Sequence, residues 1–194
     1  LPDGLLVCDG VARVAPPTKH IRYEEIDVPG LIVQRHRHFE ALLKKAAALP
    51  ALATAVVCPE EETALDGALL SAENGLIAPI LIGNPAKIEA AAEKLGKSLL
   101  GCEILPTATH RDAARLAVEL VRQGRAEAIM KGHLHTDDLL KPMLDKEHGL
   151  RVGRRFTHIF VMDVPGVSHP LLVTDAAINI APDLDTKVDI VQNA

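Results

Sequence analysis

Tryptophan is absent from the 194 residues, and with one tyrosine and three phenylalanines the aromatic share is only 2%. A hydrophobic core must therefore be assembled from alanine, leucine, isoleucine and valine. Base-stacking platforms for single-stranded nucleic acid are nearly excluded. Positive charge is also scarce: 21 Lys and Arg stand against 26 Asp and Glu, a formal net charge of −5. No global basic field draws the chain to nucleic acid or to an anionic membrane, and no apolar run approaches the ~20 residues of a membrane-spanning helix. The cysteines are few and odd in number (Cys8, Cys58 and Cys102), with no CxxC pair, which suits a reducing cytoplasm better than a disulfide framework. What remains is a chain with 48% hydrophobic and 24% charged residues, inside the range of globular domains.

The N-terminal stretch reads as a foreign element. Leu5-Leu6-Val7-Cys8 and Val11-Ala12-Arg13-Val14 flank Asp9-Gly10, the strongest short-range hairpin signal, because both turn positions need positive φ. A lone hairpin cannot bury itself, so residues 1–19 are expected to be the tail of an upstream sheet. Residues 20–36, polar and holding Pro29-Gly30, read as a linker, and 37–194 as the main domain. At the far end Asp183 opens an amphipathic helix, with Leu184, Val188 and Val191 on one side, and Asn193-Ala194 carries no stop signal. The expectation is a fragment cut on both sides.

Between these ends the periodicity alternates. Phe39–Leu49 reads as a helix with Leu42, Leu43 and Ala46 on one face, ended by Pro50. The segments 55–58, 79–82, 103–105 and 128–130 read as short buried strands, each followed by a helix. The helix after Asn84-Pro85 points Ile88, Ala91, Ala92 and Leu95 inward, and the one capped by Thr109 points Ala113, Leu116, Ala117, Leu120 and Val121 inward. This pattern predicts an α/β fold: a mainly parallel sheet with helices on both faces, preceded by the hairpin. Two β-rich runs, 157–162 and 171–174, are expected to form an extended pair that interrupts the alternation.

Ligands of such sheets bind at the carboxyl ends of strands, against helix N-termini. The sequence places Lys131-Gly132-His133-Leu134-His135-Thr136 there, with Gly132 allowing close backbone approach, Thr136 capping the next helix, and free amides plus Lys131 suited to an anion. An ordinary strand–loop–helix junction fits the same residues. Asp175 and Asn179 follow the last apolar run, where they either orient a polar substrate or satisfy a turn. His36 with His38 and His133 with His135 form H-x-H pairs, but no third ligand is evident and HExxH is absent, so solvated histidines and no metal are expected. Cys58 reads as a core thiol, since no paired base is identifiable.

Two stretches together resemble the phosphate acetyltransferase and phosphate butyryltransferase family. They are Met130-Lys131-Gly132 with Thr136, Leu140 and Leu144, and the run from Leu171 through Thr174-Asp175-Ala176-Ala177-Ile178-Asn179 to Leu184, with Lys187, Ile190 and Asn193-Ala194. Pro79–Asn84 fits the same family, and the likeness covers roughly residues 35–194. Residues 1–22 resemble the tail of a MaoC-type, hotdog-fold enoyl-CoA hydratase, as in bifunctional hydratase–phosphate acyltransferases. The resemblance implies a two-subdomain architecture like that of isocitrate and isopropylmalate dehydrogenases, incomplete here, with the active site between subdomains, in a cytoplasmic homodimer. It also implies transfer of a short acyl group between CoA and inorganic phosphate. Coenzyme A is then a substrate, no cofactor is tightly bound, and the chemistry needs no metal. Lys131, Gly132, His135, Thr136, Lys141, Asp175 and Asn179 would bind substrate, Lys141 standing where related acetyltransferases carry arginine. The family's Ser-Arg-x-Asp-Ser stretch is not found, so no catalytic base is assigned. Other readings are a non-catalytic module holding a phosphorylated ligand or serving oligomerisation, and a decarboxylating-dehydrogenase-like domain, the latter lacking a GxGxxG fingerprint.

Overall fold

The computed structural model describes residues 37–164, 166–175 and 177–194. The hairpin expected at 1–19 and the linker expected at 20–36 lie outside the described residues. From there the order is α1 (Arg37–Ala46), β1 (Leu52–Val57), α2 (Glu62–Glu73), β2 (Ile77–Gly83), α3 (Pro85–Leu95), β3 (Glu103–Pro106), α4 (His110–Arg122), β4 (Ala128–Lys131), α5 (Thr136–Met143), β5 (Ile159–Met162), β6 (Leu171–Thr174) and α6 (Leu184–Asn193).

The first four strands form one sheet in the order β3-β2-β1-β4, and every neighbouring pair is parallel. The strand pleat sends alternate residues to opposite faces, which divides the core in two. Ala55 and Val57 of β1 and Ile80 and Ile82 of β2 meet Ala113, Ala114, Ala117 and Leu120 of α4, with Leu139 of α5. Val56 and Leu81 face the other way, against Leu65, Ala68 and Leu69 of α2 and Ile88, Ala91 and Ala92 of α3. The helices thus cover both faces, as the alternation requires. Without aromatics, packing relies on alanine-rich helix faces that lie close to the strands. Leu65 and Leu81 are fully buried, so truncating either to alanine should cost about 2–5 kcal/mol.

Local signals place the helix starts. Asn84 caps α3 by accepting the Lys87 amide at 3.3 Å, with Pro85 in the first turn. Thr109 caps α4 by accepting the Asp112 amide at 3.1 Å, and Asp183 caps α6 by accepting the Thr186 amide at 2.8 Å. Each satisfies a donor that the helix itself cannot.

Three expectations need correction. Phe39, Leu42 and Leu43 of α1 are exposed. Polar anchoring rather than an apolar stripe holds this helix: the Asp163 carboxylate accepts the amides of His38 at 3.0 Å and Phe39 at 3.1 Å, and His38 Nε2 lies 2.8 Å from the Val167 carbonyl. His38 is therefore engaged, not solvated. In α6 the buried residues are Thr186 and Ile190, while Leu184, Val188 and Val191 face outward. On the same helix Asp189 pairs with Arg155 at 3.1 Å. Thr136, finally, is not the cap of α5. His135 holds that position in an extended conformation, and its carbonyl already accepts the amides of Asp138 and Leu139 at 3.1 and 3.3 Å.

The expected interruption is present as an antiparallel ribbon of β5 and β6, with Ile159 opposite Thr174 and Met162 opposite Leu171.

Candidate active site

The chain leaves β1 toward β2 on one side, while β4, on the other side of β1, is reached only after β3 and α4. The direction of strand addition reverses between β1 and β4, and open parallel sheets bind ligands in the crevice outside the carboxyl ends at such a reversal.

The crevice floor is backbone. The amide of Gly132 donates to the Val57 carbonyl at 2.8 Å, and that of His133 to the Cys58 carbonyl at 2.7 Å. A Cβ on residue 132 would strike Val57 O and come within 2.5 Å of Cys58 O, so this position demands glycine. Cys58 itself adopts φ 54, a left-handed conformation uncommon for a residue with a side chain. The two amides expected to be free for an anion are thus consumed in joining β4 to β1. Those of Thr136 and Asp137 have no acceptor among the described residues, and no side chain caps the first turn of α5. The donors available to an anion therefore lie one turn further on than Gly132.

Lys131, His135 and Thr136 are exposed around this turn, with Lys131 Nζ a long 3.4 Å from the Gly132 carbonyl. His133 is solvent-exposed, as expected, and its Nδ1 also lies 3.0 Å from a carboxylate oxygen of Glu61, just before α2. Lys141 sits further along α5, in a groove of about 930 Å³ shared with Arg111, Arg115 and Arg122 of α4 and with Asp138 and Asp145. The arginines escaped notice in the sequence, although Arg111 and Arg115 stand one helical turn apart.

Asp175 and Asn179 belong to a different neighbourhood. Asp175 Oδ1 accepts the amides of Ala177 at 3.0 Å and Ile178 at 2.9 Å, and its other oxygen accepts Asn179 Nδ2 at 2.6 Å. Partial burial works to raise its pKa, but these donors outweigh that and hold the carboxyl far below its ordinary range. Asn179 Nδ2 also donates to the Phe156 carbonyl at 3.0 Å and borders a cavity of about 620 Å³ with Leu144, Arg155 and Asn193. This is the turn-satisfying role. Among the described residues no hydrogen bond joins this pair to the loop at Lys131–Thr136.

One polar cluster was invisible in the sequence because His110 stands fifty positions beyond Glu60, with Asn84 and Lys87 in between. Glu60, its side chain 7% exposed, accepts the Asn84 amide and the Lys87 ammonium, each at 2.9 Å, and lies 3.9 Å from His110 Nε2. Burial pushes the Glu60 carboxyl up, but Lys87 and the Asn84 amide overcome that and hold it below its ordinary value. Beside it, burial and the negative charge of Glu60 push the Cys58 thiol up to about 11, so it is protonated at neutral pH. Donor atoms of Cys58, Glu60 and His110 all lie within 4.8 Å of one another.

Comparison with known proteins gives this geometry a context. Residues 103–194, which hold β3 through α6, match the family described as "Phosphate acetyl/butaryl transferase". The chain is 47% identical over 156 residues to a phosphate acetyltransferase of Rhizobium meliloti, covering 80% of this chain and 49% of that protein. It is 34% identical over 158 residues to a phosphate butyryltransferase of Clostridium beijerinckii, covering 81% and 52% respectively. The fold resembles that of a phosphotransacetylase from Streptococcus pyogenes, with a TM-score of 0.65 at 21% identity over 81% of this chain and 56% of that one. The chain spans about half the length of the curated relatives it matches. Its sequence places it in the phosphate acetyltransferase and phosphate butyryltransferase family.

Proposed function

We propose that the protein takes part in transferring a short acyl group, acetyl or butyryl, between coenzyme A and inorganic phosphate. The observation that carries this reading is the match over residues 103–194, the stretch containing both the crevice loop at Lys131–Thr136 and the turn at Asp175–Asn179. Acyl transfer to CoA requires its thiolate to attack the acyl-phosphate carbonyl and expel phosphate. In the reverse direction a phosphate oxygen attacks the thioester carbonyl and the CoA thiolate leaves, and in both donors hold the phosphoryl oxygens. The uncapped first turn of α5 supports the last requirement: the amides of Thr136 and Asp137 have no acceptor among the described residues, and Lys131 adds a mobile cation beside them. Asp137 and Asp138 oppose an anion there, so Lys131 is needed to offset their charge. Lys141 supplies a point charge, not the two-pronged fork of an arginine, which favours the butyryl branch or a looser phosphate clamp.

The remaining expectations form part of the proposal. Asp175 and Asn179 bind substrate from the turn after β6, the protein works as a homodimer in the cytoplasm, and residues 1–19 belong to a separate hotdog-type module. The test is consumption or release of CoA thiol with acetyl-CoA and butyryl-CoA plus phosphate, using this chain and the longest natural protein containing it. Phosphate-dependent turnover with either acyl-CoA is expected from the longer protein. No phosphate-dependent turnover with any short acyl-CoA would overturn the reading.

A further inference from the structure

We infer that Cys58, Glu60 and His110 form a binding site for a borderline-soft divalent cation, Zn2+ by the chemistry of the ligand set. Three donors of different kinds converge from two segments. The sulfur and the carboxylate come from the Cys58-Pro59-Glu60 stretch that follows β1, and the imidazole from the first residue of α4. Nothing in local sequence joins His110 to the other two. Parallel pairing of β1 with β2 and packing of α4 over the sheet bring them to one point.

The spacing is near that of a closed site. Tetrahedral Zn2+ with bonds of about 2.0–2.3 Å has neighbouring ligand atoms roughly 3.3–3.8 Å apart. His110 Nε2 and Glu60 Oε2 are already 3.9 Å apart, and the whole set lies within 4.8 Å. Contraction by about an ångström is within reach of side-chain rotation, because His110 begins a helix and is partly exposed. Three protein ligands leave one position for water, the arrangement of sites that remain open.

The surroundings support the set. Glu60 Oε1 is held by the Asn84 amide at 2.9 Å, a supporting contact that fixes the carboxylate while its other oxygen turns toward the cation. That other oxygen now carries Lys87 Nζ at 2.9 Å. Lys87 is 59% exposed on a flexible stem, so it can swing into solvent when a cation replaces it. A position that recruits an ammonium to offset a nearly buried carboxylate is one that favours positive charge. On binding, the Cys58 thiol loses its proton to solvent and sulfur bonds the metal. Thiolate and carboxylate together then balance the two positive charges. The site stands independently of the acyl-transfer reading.

Anaerobic titration with Co2+, a spectroscopic substitute for Zn2+, tests the assignment on the 194-residue chain. The expected result is one equivalent bound with a thiolate-to-cobalt charge-transfer band in the near ultraviolet, bleached by Zn2+ and accompanied by proton release. Cys58→Ser should abolish the band, whereas Cys8→Ser, Cys102→Ser and His133→Ala should leave it. His110→Ala, which removes a ligand outright, should weaken binding by more than about 100-fold, beyond the 10–100-fold typical of losing a supporting contact. Should Cys58→Ser fail to fold by circular dichroism, His110→Ala, altered at a partly exposed position, carries the decision. No band in the parent protein, a band that survives Cys58→Ser, or one indifferent to His110→Ala would overturn the site.

Discussion

The amide of Gly132 donates to the carbonyl of Val57 at 2.8 Å, and a methyl group on that glycine would collide with the same carbonyl. The contact joins β4 to β1 where the strand order reverses, so the close approach at this glycine is a structural joint. Gly132→Ala should destabilise the protein by about 1–3 kcal/mol through overpacking against backbone that cannot rotate away. The urea unfolding midpoint measures this. A midpoint equal to that of the parent would mean the joint can open at little cost.

Glu60 couples the loop after β1 to the start of α3 through the Asn84 amide and Lys87. Its carboxyl is held below the ordinary value of 4.5, so its ionised form favours the folded state. That contribution is complete above the unfolded value and disappears as pH falls through the lower folded one. Glu60→Gln should therefore be less stable than the parent by a constant amount above about pH 6, and the gap should close as pH drops below 4.5. Denaturant midpoints of both proteins across that range give the answer. A gap that widens on acidification would contradict the sign.

The parts of the fold legible in the sequence are those where local chemistry and burial agree. Asn84-Pro85 and Thr109 mark helix starts that the structure keeps, and the alternating apolar segments became a parallel sheet covered on both faces. Reading failed where a distant polar partner decides. Asp163 anchors α1 from more than a hundred residues away, leaving Phe39 and Leu42 outward. In α6 Asp189 pairs with Arg155 while Val188 lies exposed, against the simple stripe. The site divided in the same way. The loop at Lys131–Thr136 was legible as a strand-to-helix junction, whereas His135 displaced Thr136 as the cap because its carbonyl was already committed to the helix. His110 meets Cys58 and Glu60 only because α4 packs over the sheet, so the complete cluster carries no local signal.

Asp175 gives a third expectation. Its carboxylate collects the amides of Ala177 and Ile178 and the amide group of Asn179, so it organises the turn that follows β6. Asp175→Asn removes the charge that these donors share. Hydrogen exchange at Ala177 and Ile178 should accelerate by about tenfold or more, because a charge-assisted bond is roughly twice as strong as a neutral one. Exchange in β1 and β2 should be unchanged. Equal acceleration throughout the sheet would show that the turn is an integral part of the main core.

The β5–β6 ribbon is apolar on both faces, with Phe160, Val161, Met162, Leu172 and Val173 all exposed. A two-stranded ribbon is marginal by itself in water, and contiguous apolar surface promotes association. Sedimentation velocity over a concentration series should therefore show self-association of this chain. Leu172→Lys, at an exposed strand position, should shift the distribution toward monomer. An unaltered distribution would place the contact elsewhere.

Lys131 and Lys141 separate two ways of handling phosphate. Lys131 is exposed at the end of β4, beside the first turn of α5, where the amides of Thr136 and Asp137 are unclaimed among the described residues. Lys141 stands along the same helix among Arg111, Arg115 and Arg122, in a groove where other cations can compensate for its loss. A contact made by a lone cation is harder to replace than one made within a cluster. In the acyl-transfer assay, Lys131→Ala should raise the apparent KM for phosphate by roughly 10–100-fold, the loss expected for one charge-assisted hydrogen bond. The KM for acyl-CoA should change little. Lys141→Ala should have the smaller effect on phosphate, and Lys141→Arg, which restores the two-pronged fork, should lower the KM for phosphate below that of the parent. If Lys131→Ala instead lowers kcat with KM unchanged, the lysine acts only in the transition state. The resting anion site would then have to be sought in the groove around Lys141.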